Sequence, residues 1–342
     1  MKRRVFGSLP DGRTAEHVRL THANGLEATC TNFGGILLGL NVPQPNGEAI
    51  DVIVGQPDWE ACYRPHPSMG VIVGRYGNRI ANGRFELGGK TYQLPQNHGQ
   101  HTLHGGKNNF SRQLWEAVEE GETLCLKHLS PAGTESFPGN LAVEVRYSLT
   151  DEGGFRIEYQ ASTDAPTVLN LTHHAYFNLS GTGSILDTEL QLASDQLTEV
   201  DADLIPTGKL LPVSGTPFDF TKPKPIGQDI AANDPFLTYG SGYDHNFVVR
   251  EWDGNLRSIA LASDPRSGIQ MEVLTTEPGV QLYTANHLKN YPGKNGQLYQ
   301  ARTGFCLETQ HFPDSPNHPH FPSTVLQPGE TYRQTTEYRF PL

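Results

Sequence analysis

The stretch that decides the fold class is LAVEVRYSLTDEGGFRIEYQAS, residues 141–162, in which two alternating runs flank a short polar segment. In LAVEVRYSL (141–149) and FRIEYQAS (155–162), apolar residues stand at nearly every second position. Successive side chains of a strand point to opposite faces, so a period of two is typical of strands with one buried face. The polar, glycine-containing residues between the runs are typical of a turn. The stretch therefore predicts two β-strands.

Similar runs recur along the chain, whereas helical periodicity is scarce. GLEATCTNFG (25–34) and IQMEVLTT (269–276) have the same character. Only VGQPDWEACY (54–63) suggests a short turn of helix, beginning after Pro57. The chain has 36 Gly and 25 Pro in 342 residues, which is typical of a turn-rich globular protein, and it shows no repeat or linker. We predict an all-β protein with a single domain spanning residues 1–342.

Charge and hydropathy exclude several classes of partner. The formal net charge is -11 at pH 7 and no stripe of Lys or Arg is present, so nucleic acid and anionic membrane surfaces are not expected partners. No apolar run of signal-peptide length follows the basic start, and no segment is long enough to span a bilayer. We expect a cytoplasmic protein with a small, neutral partner. The four cysteines are widely separated, without a CxxC pair, so we expect reduced packing residues.

Two adjacent histidines stand in NLTHHAYFNLSG (170–181), whose other residues are typical of a half-buried strand. In a strand, Thr172, His174 and Tyr176 would share a polar face, whereas His173 would lie on the apolar face. We therefore expect His174, and not His173, to face a polar cleft. The alternative is that either histidine is a core residue whose ring nitrogens are bonded to the backbone.

A glutamate stands in the apolar run GFCLETQHF (304–312), with Cys306, Glu308 and Gln310 on one strand face. A carboxylate on an interior face is costly to keep charged, so Glu308 is either half of a structural pair or a working base. Other polar residues stand in similar settings: Asn78, Arg79, His104, Asp244, His245 and Gln281. Inward polar groups on several strands of a sandwich or barrel are typical of a sugar pocket.

The histidines also raise the question of a metal site. His98, His101 and His104 recur every third residue, but the segment is too rich in glycine for a helix. His318 and His320 could share a strand face, yet no nearby carboxylate or cysteine completes a familiar ligand set. We therefore do not expect metal catalysis. No G-x-S-x-G elbow is present, so a serine triad is not expected either.

Several motifs, in order and over nearly the whole chain, resemble the aldose 1-epimerases, also called galactose mutarotases. They are GRYGNRIANGRF, TLHGG, NLTHHAYFNLSG, DADLIPTGKLLPV, GTPFDF, YDHNFVV, PGVQLYTANHL, GFCLETQHFPDSPN and FPSTVLQPGETY. The resemblance implies a large twisted antiparallel β-sandwich, the galactose mutarotase-like supersandwich. It also implies an isomerase that interconverts the α and β anomers of a free aldohexose such as galactose or glucose, without a metal or a cofactor.

The same resemblance implies roles for individual residues. His174 would be the acid toward the ring oxygen, Glu308 the base at the anomeric hydroxyl, and His104 a second imidazole at the reacting centre. The positions that match the family's sugar-binding residues are Arg79, Asn78, Asp244 and Gln281. Two departures stand out, because the family more usually has Asn at the position of His173 and an aromatic residue at that of His287.

Two other functions compete with the epimerase. A glycoside hydrolase or lyase on a related sandwich would usually need a pair of carboxylates across the scissile bond, whereas Glu308 with His174 suits proton shuttling. A non-catalytic carbohydrate-binding protein would need Asp244, Arg79 and an aromatic platform, but would have no use for an acid together with a base. The sequence leaves open which aldose is preferred and whether the protein is a monomer or a homodimer.

Overall fold

The computed structural model describes residues 1–341, so Leu342, the last residue of the predicted domain, lies outside the described part. The strands are β1 (Lys2–Ser8), β2 (Thr14–Thr21), β3 (Glu27–Thr31), β4 (Leu37–Pro43), β5 (Ala49–Asp51), β6 (Ile72–Val73), β7 (Arg79–Ile80), β8 (Arg84–Leu87), β9 (Lys90–Gln93), β10 (Thr102–Leu103), β11 (Glu116–Glu120), β12 (Thr123–Ser130), β13 (Leu141–Leu149), β14 (Gly154–Thr163), β15 (Thr167–Val168), β16 (Thr172–His173), β17 (Glu189–Leu192), β18 (Gln196–Val200), β19 (Pro206–Pro212), β20 (Lys224–Pro225), β21 (Asp244–Val248), β22 (Arg257–Ser263), β23 (Gln270–Thr275), β24 (Gly279–Tyr283), β25 (Tyr291–Pro292), β26 (Leu298–Tyr299), β27 (Cys306–Gln310), β28 (Val325–Leu326) and β29 (Tyr332–Arg339).

Helices are short and few in the described residues. They are α1 (Trp59–Tyr63) and α2 (Pro235–Gly240), with single 3₁₀ turns at Ala81–Gly83, Phe110–Arg112, Thr134–Ser136, Lys294–Gly296 and Ser315–Asn317. No helix within residues 1–341 is long and apolar enough to cross a membrane.

Three larger sheets account for most of the strands. The first has the order β1-β2-β3-β4-β5, the second β11-β12-β13-β14-β29-β23-β22-β17-β20, and the third β19-β18-β21-β24-β27. In the second sheet, β29 lies between β14 and β23 and pairs antiparallel with both. The remaining strands form two-stranded ladders, among them β7 with β10 and β6 with β16.

One buried apolar cluster draws on all three larger sheets. It contains Val18 of β2, Val145 of β13 and Leu282 of β24, each fully buried. A sheet that buries alternate side chains on one face needs a second layer to cover that face. The nine-stranded sheet and the two five-stranded sheets cover the same core, which confirms the all-β sandwich.

The alternating runs fold as predicted. β13 has the bounds of its run, with Val143, Val145 and Tyr147 buried, while Glu144 and Arg146 pair on the other face at 2.7 Å. β3, β14 and β23 lie in the other runs. The predicted helical turn is α1, which begins after Asp58, whose side chain accepts from the Ala61 amide. α2 was not predicted, because six residues are too few to show a helical period. All four cysteines are free and buried, as expected.

Candidate active site

The floor of the site is one face of the sheet that contains β21, β24 and β27. Residues directly opposite one another in antiparallel strands share a face. Two rows of such residues lie on this face: Asn246, Gln281 and Glu308, then Asp244, Tyr283 and Cys306. The other face contributes Phe247, Leu282 and Leu307 to the core. Three strands from distant parts of the chain thus place polar side chains side by side above an apolar layer.

One wall is formed where the ladder of β7 and β10 ends. Asn78 precedes β7 and His104 follows β10, and the His104 amide donates to the Asn78 carbonyl at 3.0 Å. Both residues adopt the left-handed region, with φ of 63° and 52°. That conformation turns the backbone amide of Asn78 toward the His104 ring, whose Nδ1 accepts from it at 3.1 Å. The wall thereby fixes one imidazole to the main chain.

His174 enters the site from the end of β16. Its amide donates to the Val71 carbonyl at 3.0 Å and its carbonyl accepts from Gly70 at 2.8 Å, so the backbone continues the ladder with β6. The imidazole stacks on Tyr176, with ring centroids 5.0 Å apart, and meets His104 edge to face at 5.3 Å. These contacts hold the two histidines together at the cleft.

The division of faces in 170–181 agrees with the structure, but the half-buried strand was wrong. Only Thr172 and His173 form a strand, and residues 170–179 are buried on both sides. The reason is that one face packs on the core while the rings of His104 and Tyr283 cover His174 on the other, so little of either face meets solvent. His173 points into the core, with its ring 5.8 Å from that of Tyr147, whereas His174 and Tyr176 line the cleft.

The predicted site residues come together in one cleft of about 570 Å³. Six of them line it: Asn78, Arg79, His104, His174, Asp244 and Glu308. Gln281 stands behind Asp244 and is 2% exposed. The mouth carries His98, His101 and His287, while His318 and His320 lie elsewhere, bonded to the carbonyls of Pro206 and Gly208. The spacing of three residues from His98 to His101 and on to His104 therefore belongs to a loop at the rim of the cleft and not to a helix.

A hydrogen-bonded chain fixes the polar groups beside the catalytic candidates. Arg79 Nη2 donates to Asp244 Oδ2 at 3.3 Å, and Gln281 Nε2 donates to Asp244 Oδ1 at 2.7 Å. Asn78 Oδ1 accepts from the Arg79 amide at 2.9 Å. Both carboxylate oxygens of Asp244 are therefore engaged, and the guanidinium and carboxylate are held for hydrogen bonding to a hydroxylated ligand.

The contact between His104 and Asn78 decides which nitrogen of His104 carries the proton. Burial lowers the pKa of His104 well below its usual value, and the charge of Arg79 acts in the same direction, so the ring is neutral. Its Nδ1 accepts a hydrogen bond and must be unprotonated. His104 is consequently the Nε2–H tautomer, a hydrogen-bond donor.

Glu308 and His174 form a buried pair with one proton between them. His174 Nε2 lies 3.6 Å from Glu308 Oε1, longer than a direct hydrogen bond. Burial raises the pKa of the Glu308 carboxyl well above its usual range, assisted by Asp244 and opposed by Arg79. Burial lowers the pKa of His174 to about 4. Both shifts act in the same direction, because they favour a proton on the carboxyl and a neutral imidazole in the free protein.

Donor atoms of His104, His174 and Glu308 also lie within 4.8 Å of one another, a spacing that a metal ion could bridge. The guanidinium of Arg79 acts on both His104 and Glu308, and its positive charge opposes a second cation there. The absence of a metal requirement stays a prediction, tested below with a chelator.

Three residues around the pair were not predicted as site residues. Tyr176 and Tyr283 line the cleft with their rings against His174, and Cys306 places its sulfur 3.4 Å from His174 Nδ1. Alternation along the strands places all three on the faces of predicted site residues, since Tyr176 is two residues after His174, Cys306 two before Glu308 and Tyr283 two after Gln281. Their contacts with the His174 ring depend on the register of β24 with β27, which the sequence does not give.

Comparisons with known proteins show the family to which the chain belongs. The family model described as aldose 1-epimerase matches residues 16–339. The chain is 42% identical to galactose mutarotase of Mus musculus, over 99% of this chain and 98% of the mouse protein. It is 35% identical to aldose 1-epimerase of Escherichia coli, over 97% and 96%.

The chain belongs to the aldose 1-epimerase family. The solved structure of an aldose epimerase homologue from C. elegans superposes with a TM-score of 0.88 at 30% identity, covering 95% of this chain and 98% of that one. This aldose 1-epimerase is thus an isomerase that acts on carbohydrates, with the fold of the galactose mutarotases.

Proposed function

We propose that this aldose 1-epimerase interconverts the α and β anomers of a free aldohexose, with Glu308 and His174 as the proton-transferring pair. The observation that carries the assignment is the buried carboxyl 3.6 Å from an imidazole, beside the fixed Arg79 and Asp244. A carboxyl with a raised pKa next to an imidazole with a lowered pKa is typical of a functional pair.

Interconversion of the anomers requires that one group of the sugar lose a proton and another gain one. As the ring opens, the anomeric hydroxyl loses its proton, its oxygen becomes the aldehyde carbonyl, and the ring oxygen takes up a proton as its bond to C1 breaks. The aldehyde then turns, and the same steps in reverse close the ring on its other face. Glu308 takes the first proton and His174 gives the second. Each positioned acid or base typically contributes about 10²–10⁴-fold.

The proton on Glu308 in the free protein is compatible with these roles. The pair with a neutral carboxyl and imidazole holds as many protons as the pair with carboxylate and imidazolium, so the two states differ by one internal transfer. A sugar hydroxyl that donates to Glu308 and a ring oxygen that accepts from His174 both favour the charged state. Substrate binding therefore prepares the pair without a proton from solvent.

The remaining groups bind and orient the sugar. Arg79, Asp244 and Gln281 are held in one chain of hydrogen bonds, and the Nε2–H of His104 is available to an oxygen near the reacting centre. A donor there stabilises negative charge that develops on oxygen during ring opening. A monosaccharide in the cytoplasm is the substrate we propose, and the protein acts as a monomer or a homodimer.

Polarimetry tests the proposal. Freshly dissolved α-D-glucose and α-D-galactose should reach their equilibrium rotation faster with the protein than without it, and equally fast with EDTA present. A rotation that decays at the uncatalysed rate with both sugars would favour the carbohydrate-binding alternative. Loss of activity in EDTA and its return with zinc would contradict the metal-free chemistry.

A hydrolase is the less favoured alternative for a structural reason. The acidic group whose charge acts on Glu308 is Asp244, but both of its oxygens are engaged by Arg79 and Gln281. A second free carboxylate, which glycoside hydrolysis usually requires, is thus missing from this pair. Incubation with an aryl glycoside should release no coloured phenol.

A further inference from the structure

Asn246 and Gln310 are buried polar side chains beside Glu308 that the proposed function does not use. Asn246 lies in one row with Gln281 and Glu308, and Gln310 lies two residues after Glu308 on the same face of the sheet. Asn246 is 1% exposed and Gln310 is fully buried. Neither side-chain amide has a hydrogen-bond partner for its oxygen or its nitrogen among residues 1–341. Buried amides in folded proteins bond either protein atoms or ordered water, so a partner is expected here.

A glycine lies at the centre of these side chains. Gly279 is opposite Gln310 in the ladder of β24 with β27, and it is the diagonal neighbour of both Asn246 and Glu308. A methyl group on Gly279 would lie 2.6 Å from Asn246 Oδ1 and 3.0 Å from the Phe312 ring. Because Gly279 has no side chain, the Asn246 amide extends over it toward the row of Gln310, and Phe312 covers the place from above.

Two further polar atoms of the same rows are buried without a partner among residues 1–341. They are Oε2 of Glu308 and Oε1 of Gln281, although the other oxygen of Glu308 faces His174 and the nitrogen of Gln281 bonds Asp244. Neighbouring side chains in such rows have Cβ atoms only about 4.5–5.5 Å apart, yet none of these unpartnered atoms bonds another. One water molecule bridges such a gap, because it needs only two to four polar partners.

We propose that a buried water molecule bridges Oε2 of Glu308 to the side-chain amides of Asn246 and Gln310. The two amides are then positioning residues, which act on Glu308 through the water. The effect on turnover rests on the proposed function of Glu308 as the base, whereas the binding of water does not. A water molecule donates to an ionised carboxylate and accepts from a protonated one. It therefore satisfies Oε2 before and after Glu308 takes the anomeric proton, without movement of the buried side chains.

The hydrogen bond from this water should favour ionisation of Glu308. Burial raises the pKa of the Glu308 carboxyl well above its usual range, and a donor to the ionised form lowers that pKa. Gln310→Met keeps the length of the side chain but removes both polar atoms of the amide, so the pKa of Glu308 should rise further. We expect kcat to fall about 10-fold with little change in KM, and the alkaline limb of kcat/KM to move up by about one pH unit.

The matched control is Gln334→Met on β29, where the glutamine is 2% exposed. Its amide bonds protein atoms, since Nε2 donates to the Thr309 carbonyl and Oε1 accepts from the Tyr332 hydroxyl. The control should lower the melting temperature and leave both kcat and the alkaline limb unchanged. A role of Gln310 in packing alone would give the same result in both variants.

A crystal structure of the wild type that shows ordered water tests the site directly. A water should lie within about 2.7–3.2 Å of Glu308 Oε2 and of an amide atom of Asn246 or Gln310, and Gln310→Met should lack it. The wild-type structure decides this point even where the variant fails to fold. If no water lies there, or if either amide bonds Oε2 directly, the proposal is overturned.

Activity separates the water site from its role. Loss of the water in Gln310→Met with kcat and the alkaline limb unchanged would overturn the effect on turnover. A wild type that holds the water but shows no mutarotation would instead overturn the proposed function and leave the water site standing.

Discussion

At the scale of single residues, Glu308 gives the sharpest test. Glu308→Gln keeps the shape and one acceptor oxygen but cannot take the proton of the anomeric hydroxyl, so kcat should fall about 10²-fold or more while KM changes little. Stability should not fall, because Glu308 Oε2 is buried without a partner among residues 1–341 and no cation bonds the carboxyl. Polarimetry and a thermal melt of the same preparation measure both effects.

The raised pKa of Glu308 gives the sign of the change in stability that Glu308→Gln should cause. The pKa of this carboxyl is higher in the folded protein than in the unfolded chain, so as pH rises above about 4.5 the unfolded chain releases a proton that the folded protein keeps. This difference lowers the stability of the wild type. Gln removes this cost, so at neutral pH Glu308→Gln should melt at or above the temperature of the wild type. A variant that melts far lower yet turns over normally would show that Glu308 is structural.

The same substitution at the two adjacent histidines, His173 and His174, should have different effects on turnover. His174→Asn removes the acid and should lose most of the turnover, about 10²-fold or more. His173→Asn replaces a ring that lies in the core against Tyr147 and should keep the turnover. Initial polarimetric rates of both variants, with circular dichroism as a check on folding, provide the comparison. Equal losses in two folded variants would refute the assignment of faces.

The pH dependence of activity should follow the pKa values of the pair Glu308 and His174, and not the pKa of an ordinary histidine. The active pair holds one proton, so the acid limb of kcat/KM marks a second proton on His174 and the alkaline limb marks loss of the proton from Glu308. The groups that surround the pair are His66, Arg79, His104, Tyr176, Asp244, Tyr283 and Cys306. Since the pKa of His174 is lowered to about 4, kcat/KM should stay level through pH 6.5. A half-maximal point near 6.5 would contradict this.

At the scale of elements, Asp244 joins strands that are separate in sequence. It accepts from Arg79 of β7 and from Gln281 of β24, so Asp244→Asn should loosen the guanidinium and weaken sugar binding. We expect KM to rise about 10-fold or more, with a smaller effect on kcat, because a charge-assisted hydrogen bond is typically worth about 1.5–3 kcal/mol. Saturation curves for galactose measure both constants. Glu86→Gln, in an exposed ion pair with Arg84, is a suitable control.

The elements also show what the sequence can predict. Long alternating strands such as β13 and β14 are evident because one face is buried and the other exposed. β7, β10 and β16 have two residues each and carry no period, although they place Arg79, His104 and His174. The residue types of the site were predicted from polar insertions and from the family resemblance. The rows across β21, β24 and β27 could not be predicted, because they depend on the register of the strands.

At the scale of the whole molecule, several buried or half-buried histidines make the fold sensitive to acid. Burial lowers the pKa of His104 well below its usual value, and it lowers the pKa of five others as well: His66, His128, His174 and His245 to about 4 and His173 to about 3. Between pH 6.5 and these values the unfolded chain binds protons that the folded protein does not. Their stabilisation is therefore full above pH 6.5 and is lost as pH falls, by up to about 1.4 kcal/mol per pH unit for each histidine.

Urea unfolding at several pH values measures this loss. The free energy of unfolding should fall between pH 6.5 and pH 5 with a slope greater than one histidine can give, and His173→Asn should make that slope shallower. Glu308 and Asp314, whose carboxyl pKa values burial raises, act in the opposite direction but are fewer than the histidines. A free energy that stays constant over this range would show that the buried rings titrate normally.

The position of β29 in the nine-stranded sheet has a consequence for biosynthesis. Phe155 of β14 pairs with Tyr338 of β29, and β29 also borders β23, so the interior of this sheet is completed by a strand that leaves the ribosome after all the other strands of the sheet. Until then β14 has an unpaired edge, and unpaired strand edges are templates for association between chains. Nascent polypeptides interrupted before β29 should therefore depend on chaperones, and premature termination there should yield insoluble product and not a partly active enzyme.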